Sequence, residues 1–294
     1  MSNFPMRLLS AGEQVKILPL WAECFPDYWE QLAVANGKIP YEEICFAAFD
    51  GETAVAHCGI IPYDIRCGNR LCRMGGIASV ATAPAYRKRG IAAKLCGFAA
   101  NWAAENGFES LPLYTGFFRV YESAGWRKLE IPETWSVKVS GPVLPWKKGV
   151  DLTAPEQAEI IAIYGQSENF DGKVVRKNSG TLHSWARIFA EPEFLFAQVP
   201  GAYAVKSGGV VIELNFDRQL DPIRRKDFFT ALGDDGKVEC FLPPTSDNAA
   251  LLRLFPHEVS SFDAMHGERP MVRDLGAGDF HAVNRIYFPV TDKF

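Results

Sequence analysis

The sequence predicts a mixed α/β (α+β) fold arranged in two domains, each a sheet flanked by helices. The length of 294 residues is close to that of two domains of about 150 residues each. Apolar residues make up 48% of the chain, which is enough to fill packed cores. Both halves alternate hairpin-like strand pairs with amphipathic helices, in a similar order. This alternation indicates the α/β or α+β class.

The first elements are marked by a capping box and a turn. MRLLS, residues 6–10, predicts a short strand. The Ser and Glu of SAGE, residues 10–13, can cap a helix reciprocally, and Pro19 disturbs the helical stretch that follows. Residues 43–66 predict two strands joined by an Asp-Gly turn at 50–51.

A central strand and a long helix come next. Residues 70–82 are small or apolar on both faces, which predicts a strand inside a sheet. Four apolar residues then share one face of a 3.6-residue period: Ile91, Leu95, Phe98 and Trp102. The Asn-Gly pair at 106–107 ends this helix. The remaining predicted elements of the first half are a strand at 110–115, a short helix at 117–124 and a strand or hairpin at 125–139.

A segment rich in proline and glycine divides the chain. SGPVLPWKKG, residues 140–149, holds two of each and predicts a linker. The predicted domains are therefore 1–143 and 150–294, the second with a C-terminal tail. The second half repeats a capping box before a helix at 152–157 and a Gly-Gly hairpin turn at 208–209.

Composition argues against several functional classes. A net charge of −4 argues against nucleic-acid binding. No apolar run reaches the roughly 18 residues that span a membrane, and the N-terminus does not resemble a signal peptide. The seven cysteines are odd in number and lack C-x-x-C spacing, which favours reduced thiols in the cytoplasm. No cysteine or histidine pair has ligand spacing, so we expect no metal site.

An anion site is predicted where the central strand meets the long helix. The first turn of a helix has unpaired N–H groups and a partial positive charge, which together attract anions. Gly90 lets the backbone approach such a ligand closely, and three basic residues precede it. The candidate diphosphate site consists of Arg87, Lys88, Arg89, Gly90, Ile91 and Ala92. The alternative is a solvated basic cluster in which Gly90 only shapes the loop.

Two motifs resemble a known family. The pattern R-x-x-G-x-A, formed by Arg87, Gly90 and Ala92, resembles the acetyl-coenzyme A signature of the GNAT N-acetyltransferase superfamily. RVYESAGW, residues 119–126, is similar to the Y-x-x-x-G-aromatic segment of that superfamily. The resemblance covers roughly residues 5–140 and is closest to the Eis-like (enhanced intracellular survival) group. Members of that group pair a catalytic GNAT domain with a second, degenerate GNAT-like domain.

The resemblance implies an activity and its site. The protein is expected to be a bacterial-type N-acetyltransferase with acetyl-CoA as cosubstrate, acting on a primary amine of a small molecule or peptide by direct attack in a ternary complex. The backbone of Val80, Ala81 and Thr82 would pair with the pantetheine arm. The side chains of Lys88 and Arg89 would lie at the 3′-phosphate or in solvent. The second domain has no R-x-x-G-x-A and is not expected to bind coenzyme A.

The resemblance also assigns the acid and suggests the base. Tyr121 is the candidate general acid, with a packed tyrosine as the alternative. The terminal carboxylate of Phe294 is the candidate base, with an edge strand or core plug as the alternative role of that tail. Four side-chain carboxylates could instead act through water: Glu109, Glu122, Glu43 and Asp64.

Other interpretations stay open. The chain could be a non-catalytic coenzyme A-binding or interaction module, or an acyltransferase that uses another acyl donor. The five histidines form no recognisable spacing and are predicted to be structural or exposed; His57 lies in an apolar strand. The oligomeric state is not predicted.

Overall fold

The computed structural model describes residues 4–25, 28–39, 42–131, 133–243, 245–261 and 267–276. The first half contains β1 (Met6–Leu8), α1 (Leu18–Cys24), α2 (Tyr28–Asn36), β2 (Ile44–Asp50), β3 (Thr53–Cys67), β4 (Arg70–Thr82), α3 (Ile91–Glu105), β5 (Ser110–Thr115), α4 (Phe118–Glu122) and β6 (Arg127–Lys128). A 3₁₀ helix, Ala11–Ile17, leads into α1.

The rest of the chain adds eight strands and four helices to the described part. They are β7 (Trp135–Lys138), β8 (Lys147–Lys148), α5 (Ala154–Gln166), α6 (Trp185–Ala190), β9 (Leu195–Val199), β10 (Ala202–Ser207), β11 (Val210–Phe216), α7 (Pro222–Thr230), β12 (Lys237–Cys240), α8 (Ser246–Leu252), β13 (His257–Val259) and β14 (Arg269–Asp274). No helix in the described ranges combines the length and apolar character needed to cross a bilayer.

The strands form two mixed, mostly antiparallel sheets of seven strands each. The first has the order β1-β2-β3-β4-β5-β14-β6, and the second has the order β13-β7-β12-β11-β10-β9-β8. Among the described pairs, only β4 with β5 and β11 with β12 are parallel. Two such sheets flanked by helices confirm the predicted fold class.

Local sequence signals predicted most helices and strands of the first half. Ser10 and Glu13 form the predicted capping box, and Pro19 lies in the first turn of α1. The Asp-Gly turn joins β2 to β3, and β4 lies between β3 and β5 as expected of a central strand. On α3 the buried face is made mainly of small residues, while Phe98 is 40% exposed.

Two strands lie across the predicted domain division. β7, from the first half of the chain, pairs with β12 and β13 in the second sheet. β14, from near the end of the chain, pairs with β5 and β6 in the first sheet and buries Met271 in the first core. These pairings join the two halves of the chain, because strand partners are set by contacts between residues that are distant in sequence. The division into 1–143 and 150–294 itself stays a prediction.

The first sheet has a helical layer on each face. Along β2, Phe46 and Ala48 face the core under α3, whereas Cys45, Ala47 and Phe49 face the core under α1 and α2. This alternation follows from the two-residue period of a strand. β4 is therefore buried between two layers, and it leads directly to α3.

The second half of the chain contacts the first sheet along β3. The Arg66 amide donates to the Lys173 carbonyl, and the Val175 amide donates to the Asp64 carbonyl. Leu182 packs with Ile61 and Ala78 on the face of the sheet that also carries α1 and α2. The two halves are thus joined by backbone pairing as well as by apolar packing.

Removing the side chain that β14 buries in the first core tests the strand exchange. We expect Met271→Ala to lower the free energy of unfolding by about 2–5 kcal/mol, the usual cost of truncating a fully buried methionine. Val259→Ala, on an exposed strand of the second sheet, should change it by less than about 0.5 kcal/mol. Urea unfolding measures both, and equal small losses would contradict the placement of β14.

Candidate active site

The N-terminus of α3 is open toward solvent. Gly90 is the N-cap residue and adopts a left-handed conformation with φ +71°. A Cβ built on Gly90 would meet no heavy atom within 4 Å, so the space in front of the helix is clear. The first N–H groups of a helix have no partner within the helix. The backbone here is accessible, and the anion site at residues 87–92 stays a prediction.

The basic residues before Gly90 shape this loop. Arg87 Nε donates to the Thr82 carbonyl at 3.0 Å. Arg89 donates to the Ala85 carbonyl at 2.9 Å, and its guanidinium lies 5.1 Å from the centroid of the Tyr86 ring. Both arginines thus turn back onto the loop while keeping their positive charge at the helix mouth. Lys88 adopts a left-handed backbone conformation with φ +61°.

The corresponding helix of the second half has an occupied N-terminus. Asp221 is the N-cap of α7, and its carboxylate accepts from the Arg224 amide at 3.0 Å. A fixed carboxylate at this position repels a phosphate and uses an amide that the phosphate would need. The contrast with Gly90 favours one anion site on the first half of the chain.

β4 and β5 separate next to this helix mouth. Their described pairing is at Met74 and Ser110, whereas β4 continues to Thr82. Residues 80–82 of β4 therefore extend beyond the register of β5. A strand edge with free backbone groups can pair with an extended ligand.

A β-bulge interrupts β4 just before residues 80–82. Ala81 pairs with His57 and Ala78 pairs with Gly59, so Ser79 and Val80 lie opposite one residue of β3. Ser79 has φ +48°, and its carbonyl lies 2.8 Å from His57 Nδ1. Such bulges bend a strand and redirect the groups that follow.

Tyr121 lies on α4, the helix that follows β5. Its side chain is half-buried against the first core, and its ring meets Trp126 edge to face at 6.1 Å. Burial raises the pKa of the Tyr121 hydroxyl above its ordinary value, and the nearby Cys96 thiol adds to the rise. The phenol therefore stays protonated at neutral pH and can donate a hydrogen bond or a proton.

Family comparison places these features in a known context. Residues 5–129 match the family model described as the acetyltransferase (GNAT) domain. These residues are similar to a GNAT acetyltransferase domain. No curated protein sequence matches the chain.

Solved structures share the fold over both halves. A GCN5-related N-acetyltransferase from Kribbella flavida is 20% identical, with a TM-score of 0.62, covering 94% of this chain and 73% of its own. Eis1 from Mycobacterium abscessus is 16% identical, with a TM-score of 0.63 and coverages of 92% and 74%. A probable N-acyltransferase of unknown function from Enterococcus faecalis V583 is 14% identical, with a TM-score of 0.65 and coverages of 95% and 74%. The likeness therefore includes the second half of the chain, at the level of fold.

Three of the candidate carboxylates lie on or beside different elements of the first half of the chain. Glu109 is at the start of β5 and binds Arg70 at 2.6 Å. Glu122 is exposed and 3.4 Å from Lys128. Asp64 lies near the turn between β3 and β4, opposite Arg73. The predicted base, the terminal carboxylate of Phe294, lies outside the described residues.

The fourth carboxylate, Glu43, is buried beside His57 in the first half of the chain. Glu43 Oε1 lies 3.7 Å from His57 Nε2, and both side chains are shielded from solvent. Burial raises the pKa of Glu43 to about 8, with a contribution from Glu30. Burial lowers the pKa of His57 to about 4, although the bond to the Ser79 carbonyl opposes this shift. The pair is therefore uncharged overall at neutral pH.

Cys45 completes a group of three side chains of the types that bind metals. Its Sγ lies within 4.8 Å of the Glu43 and His57 atoms. The thiol, however, donates to the Glu43 carbonyl at 3.6 Å, and burial raises its pKa. Metal ligation needs a thiolate and a carboxylate, whereas both groups are protonated in the metal-free protein, and we assign no metal here.

The cluster was not predicted from the sequence, because His57 is distant in the chain from Glu43 and Cys45. They meet through the β2–β3 hairpin, in which Cys45 pairs with Gly59 and Ala47 pairs with His57. The predicted Asp-Gly turn could have revealed the cluster, because the position of a turn sets which residues of the two strands lie opposite each other.

Folding should take up a proton at this pair above about pH 6.5. From about pH 4 to about pH 8 the folded pair holds two protons, one on Glu43 and one on the neutral His57 ring. With ordinary values of 4.5 and 6.5, the unfolded pair holds only one above about pH 6.5. The free energy of unfolding should therefore fall as pH rises from about 6.5 to about 8, by at most about 1.4 kcal/mol per pH unit.

Glu43→Gln should remove this fall, because the amide cannot lose a proton. Urea unfolding at several pH values between 6.5 and 8 measures the slope. Glu42→Gln removes a neighbouring exposed carboxylate and should leave the slope unchanged. A slope that persists in Glu43→Gln would contradict the raised pKa of Glu43.

Proposed function

We propose that this protein is an acetyl-CoA-dependent N-acetyltransferase that acetylates a primary amine of a small molecule or peptide by direct attack in a ternary complex. The observation that carries the proposal is the open, glycine-capped N-terminus of α3 beside the separated end of β4. Tyr121 of α4 adds a protonated phenol after β5. The family match of residues 5–129 supports acetyl transfer as the chemistry.

Backbone groups would hold the acyl donor. The N–H groups of residues 87–92 would bind the pyrophosphate, because the helix mouth is clear and positively charged. Residues 80–82 would pair with the pantetheine arm as an added strand. A backbone N–H in this segment would then donate to the thioester carbonyl oxygen and stabilise its developing negative charge. The side-chain contacts of Arg87 and Arg89 fix the loop that connects these two sets of donors.

Proton movements define the remaining roles. An alkylammonium has a pKa of about 10.4 and must lose a proton before its nitrogen attacks the thioester carbon. The C–S bond then breaks, and the Tyr121 hydroxyl would donate its proton to the departing thiolate. The proton from the amine would pass to a base, for which the terminal carboxylate of Phe294 stays our prediction. The amide product leaves with no net change in oxidation state.

The second half would contribute no coenzyme A site. Asp221 already caps α7, and the R-x-x-G-x-A pattern is lacking there. A cytoplasmic location is part of the proposal, supported by seven cysteines that are all free. The acceptor is proposed only as a primary amine.

Gly90→Glu should abolish acetyl-CoA binding. The new carboxylate would repel the pyrophosphate at the helix mouth. Wild-type protein at 100 times the dissociation constant should gain about 2.7 kcal/mol of stability, a rise of several degrees in melting temperature. Gly107→Glu is the matched control, because Gly107 has φ +77° and follows the opposite end of α3. Thermal unfolding with and without acetyl-CoA should show a shift in the control and none in Gly90→Glu. Loss of the shift in both variants, or in neither, would sink the predicted pyrophosphate site.

Tyr121→Phe should separate binding from turnover. Removing the proton donor should lower kcat by about 10²- to 10⁴-fold, while the thermal shift with acetyl-CoA stays. Release of free thiol with a panel of primary amines measures kcat. Unchanged kcat would exclude Tyr121 as the acid. Wild-type protein that binds acetyl-CoA but acetylates no amine would favour the non-catalytic binding module.

A further inference from the structure

We propose that His57 and Glu43 are positioning residues for acyl transfer: together they hold the β4 bulge at Ser79, and so fix the backbone of residues 80–82 against the acyl donor. This inference rests on the proposed function, because that function gives residues 80–82 their role. Neither side chain is placed in contact with the reacting atoms.

The bulge needs an external contact to persist. Ser79 is a non-glycine residue in the left-handed region, a conformation that survives only where neighbouring groups hold it. The described contact to its carbonyl is His57 Nδ1 at 2.8 Å. His57 pairs with Ala81 on the adjacent strand, so the ring is anchored on the strand that faces the bulge.

Geometry decides which ring nitrogen carries the proton. A carbonyl oxygen 2.8 Å from Nδ1 can be tolerated only if Nδ1–H donates to it. The Trp21 indole nitrogen is 3.2 Å from the same Nδ1, but that contact would need Nδ1 to accept. One nitrogen cannot do both, and the shorter contact favours donation to Ser79. In the neutral ring, Nε2 is then a bare acceptor.

The carboxyl group of Glu43 lies on the Nε2 side of the His57 ring. Its Oε1 lies 3.7 Å from Nε2, and neither atom has a hydrogen-bond partner among the described residues. A protonated carboxyl directed at Nε2 favours the tautomer with its proton on Nδ1. The 3.7 Å separation is longer than a hydrogen bond, so the carboxyl acts on the ring through its dipole, and the ring donates from Nδ1 to the Ser79 carbonyl.

Gly59 of β3 leaves space for the Glu43 carboxyl beside His57. A Cβ on Gly59 would lie 1.7 Å from Glu43 Oε1, so the carboxyl occupies space that any other residue at 59 would fill. The surrounding core, which includes Trp21, Ile17 and Phe49, is apolar. An acid and an imidazole in such a core cost more than apolar side chains of similar size. Their arrangement around one bulge points to a positioning role for the polar pair.

Losing the Nδ1–H donor should let the bulge relax. Ser79 could then return to an extended conformation, and residues 80–82 would slip relative to β3. A one-residue slip moves every following side chain to the other face of the sheet and moves the edge N–H groups with it. Misplacement of the thioester by about 1 Å can cost about 100-fold in rate. The pyrophosphate site at residues 87–92 lies beyond the bulge and should keep binding acetyl-CoA.

Two amide variants of His57 provide a matched test. The amide nitrogen of Asn is the same number of bonds from the backbone as Nδ1, whereas that of Gln corresponds to Nε2. His57→Asn should therefore keep the donor to Ser79 and retain kcat within about threefold, while His57→Gln should lose about 10- to 100-fold. Both should keep the thermal shift with acetyl-CoA. Equal kcat in the two variants, or a loss that follows melting temperature alone, would overturn the positioning role.

A nitrogen-15 NMR spectrum of the histidine rings tests the pair without any activity. The His57 resonances, identified by their loss in His57→Asn, should show a neutral ring protonated at Nδ1 with slow exchange of that proton. Glu43→Gln keeps a polar amide beside Nε2 and should preserve the tautomer with the proton on Nδ1. Glu43→Leu removes that polar group and should shift the ring toward the tautomer with the proton on Nε2. A wild-type ring protonated at Nε2, or a stoichiometric metal ion removable by a chelator, would overturn the proposal.

The proposed function and the positioning role of His57 and Glu43 can be disproved separately. If wild-type protein binds acetyl-CoA but acetylates no amine, the proposed function and the positioning role fall together. The NMR result would still decide whether His57 and Glu43 hold the bulge. If turnover is present and His57→Gln is as fast as wild type, only the inference about this pair is wrong.

Discussion

The separation of β4 from β5 is the feature on which the candidate site depends. β4 is paired with β3 along nearly its whole length, while its described pairing with β5 is confined to Met74 and Ser110. β5 is held on its other side by β14 along all six of its residues. Because each strand is bonded firmly to a different neighbour, the two can diverge without leaving the sheet. The edge between them and the mouth of α3 then lie at the same end of β4.

Helix capping distinguishes α3, where the anion site is proposed, from α7 in the second half of the chain. Gly90 gives α3 a left-handed entry with no side chain across its N-terminus. Asp221 places a carboxylate on the first amides of α7, and Thr153 caps α5 with its hydroxyl. Capping stabilises a helix by satisfying the donors that an anion would use. α3 forgoes that stabilisation and relies on packing of its small-residue face against β2, β3 and β4.

Local chemistry predicted the elements well, whereas long-range pairing limited the rest. The capping box at residues 10–13, the Asp-Gly turn and the helix α3 are each fixed by neighbours within a few residues, and each was confirmed, although Phe98 of the predicted apolar face is 40% exposed. The partners of β7 and β14 were not predicted, because nothing within WSVK or RPMVRD specifies a partner strand. The mouth of α3 was predictable because Gly90 and the helix it opens are adjacent in sequence. The Glu43–His57 pair depends on strand register and on a bulge that the sequence did not indicate.

The second half of the chain has a physical reason to stay attached without a coenzyme A site of its own. On the face of the first sheet that carries α1 and α2, Leu182 covers Ile61 and Ala78, and the His183 ring packs at a tilt against Tyr63, with centroids 4.3 Å apart. Ala78 is the residue immediately before Ser79, so the bulge is held by His57 of β3 and packed at its base by the second half. Backbone pairing of Arg66 with Lys173 covers the edge of β3 that lies beyond its pairing with β2. Displacing the second half would expose this apolar surface and loosen β3, the strand that carries His57 and pairs with β4. The shape of the candidate site therefore depends on the second half of the chain, even if that half makes no contact with the acyl donor.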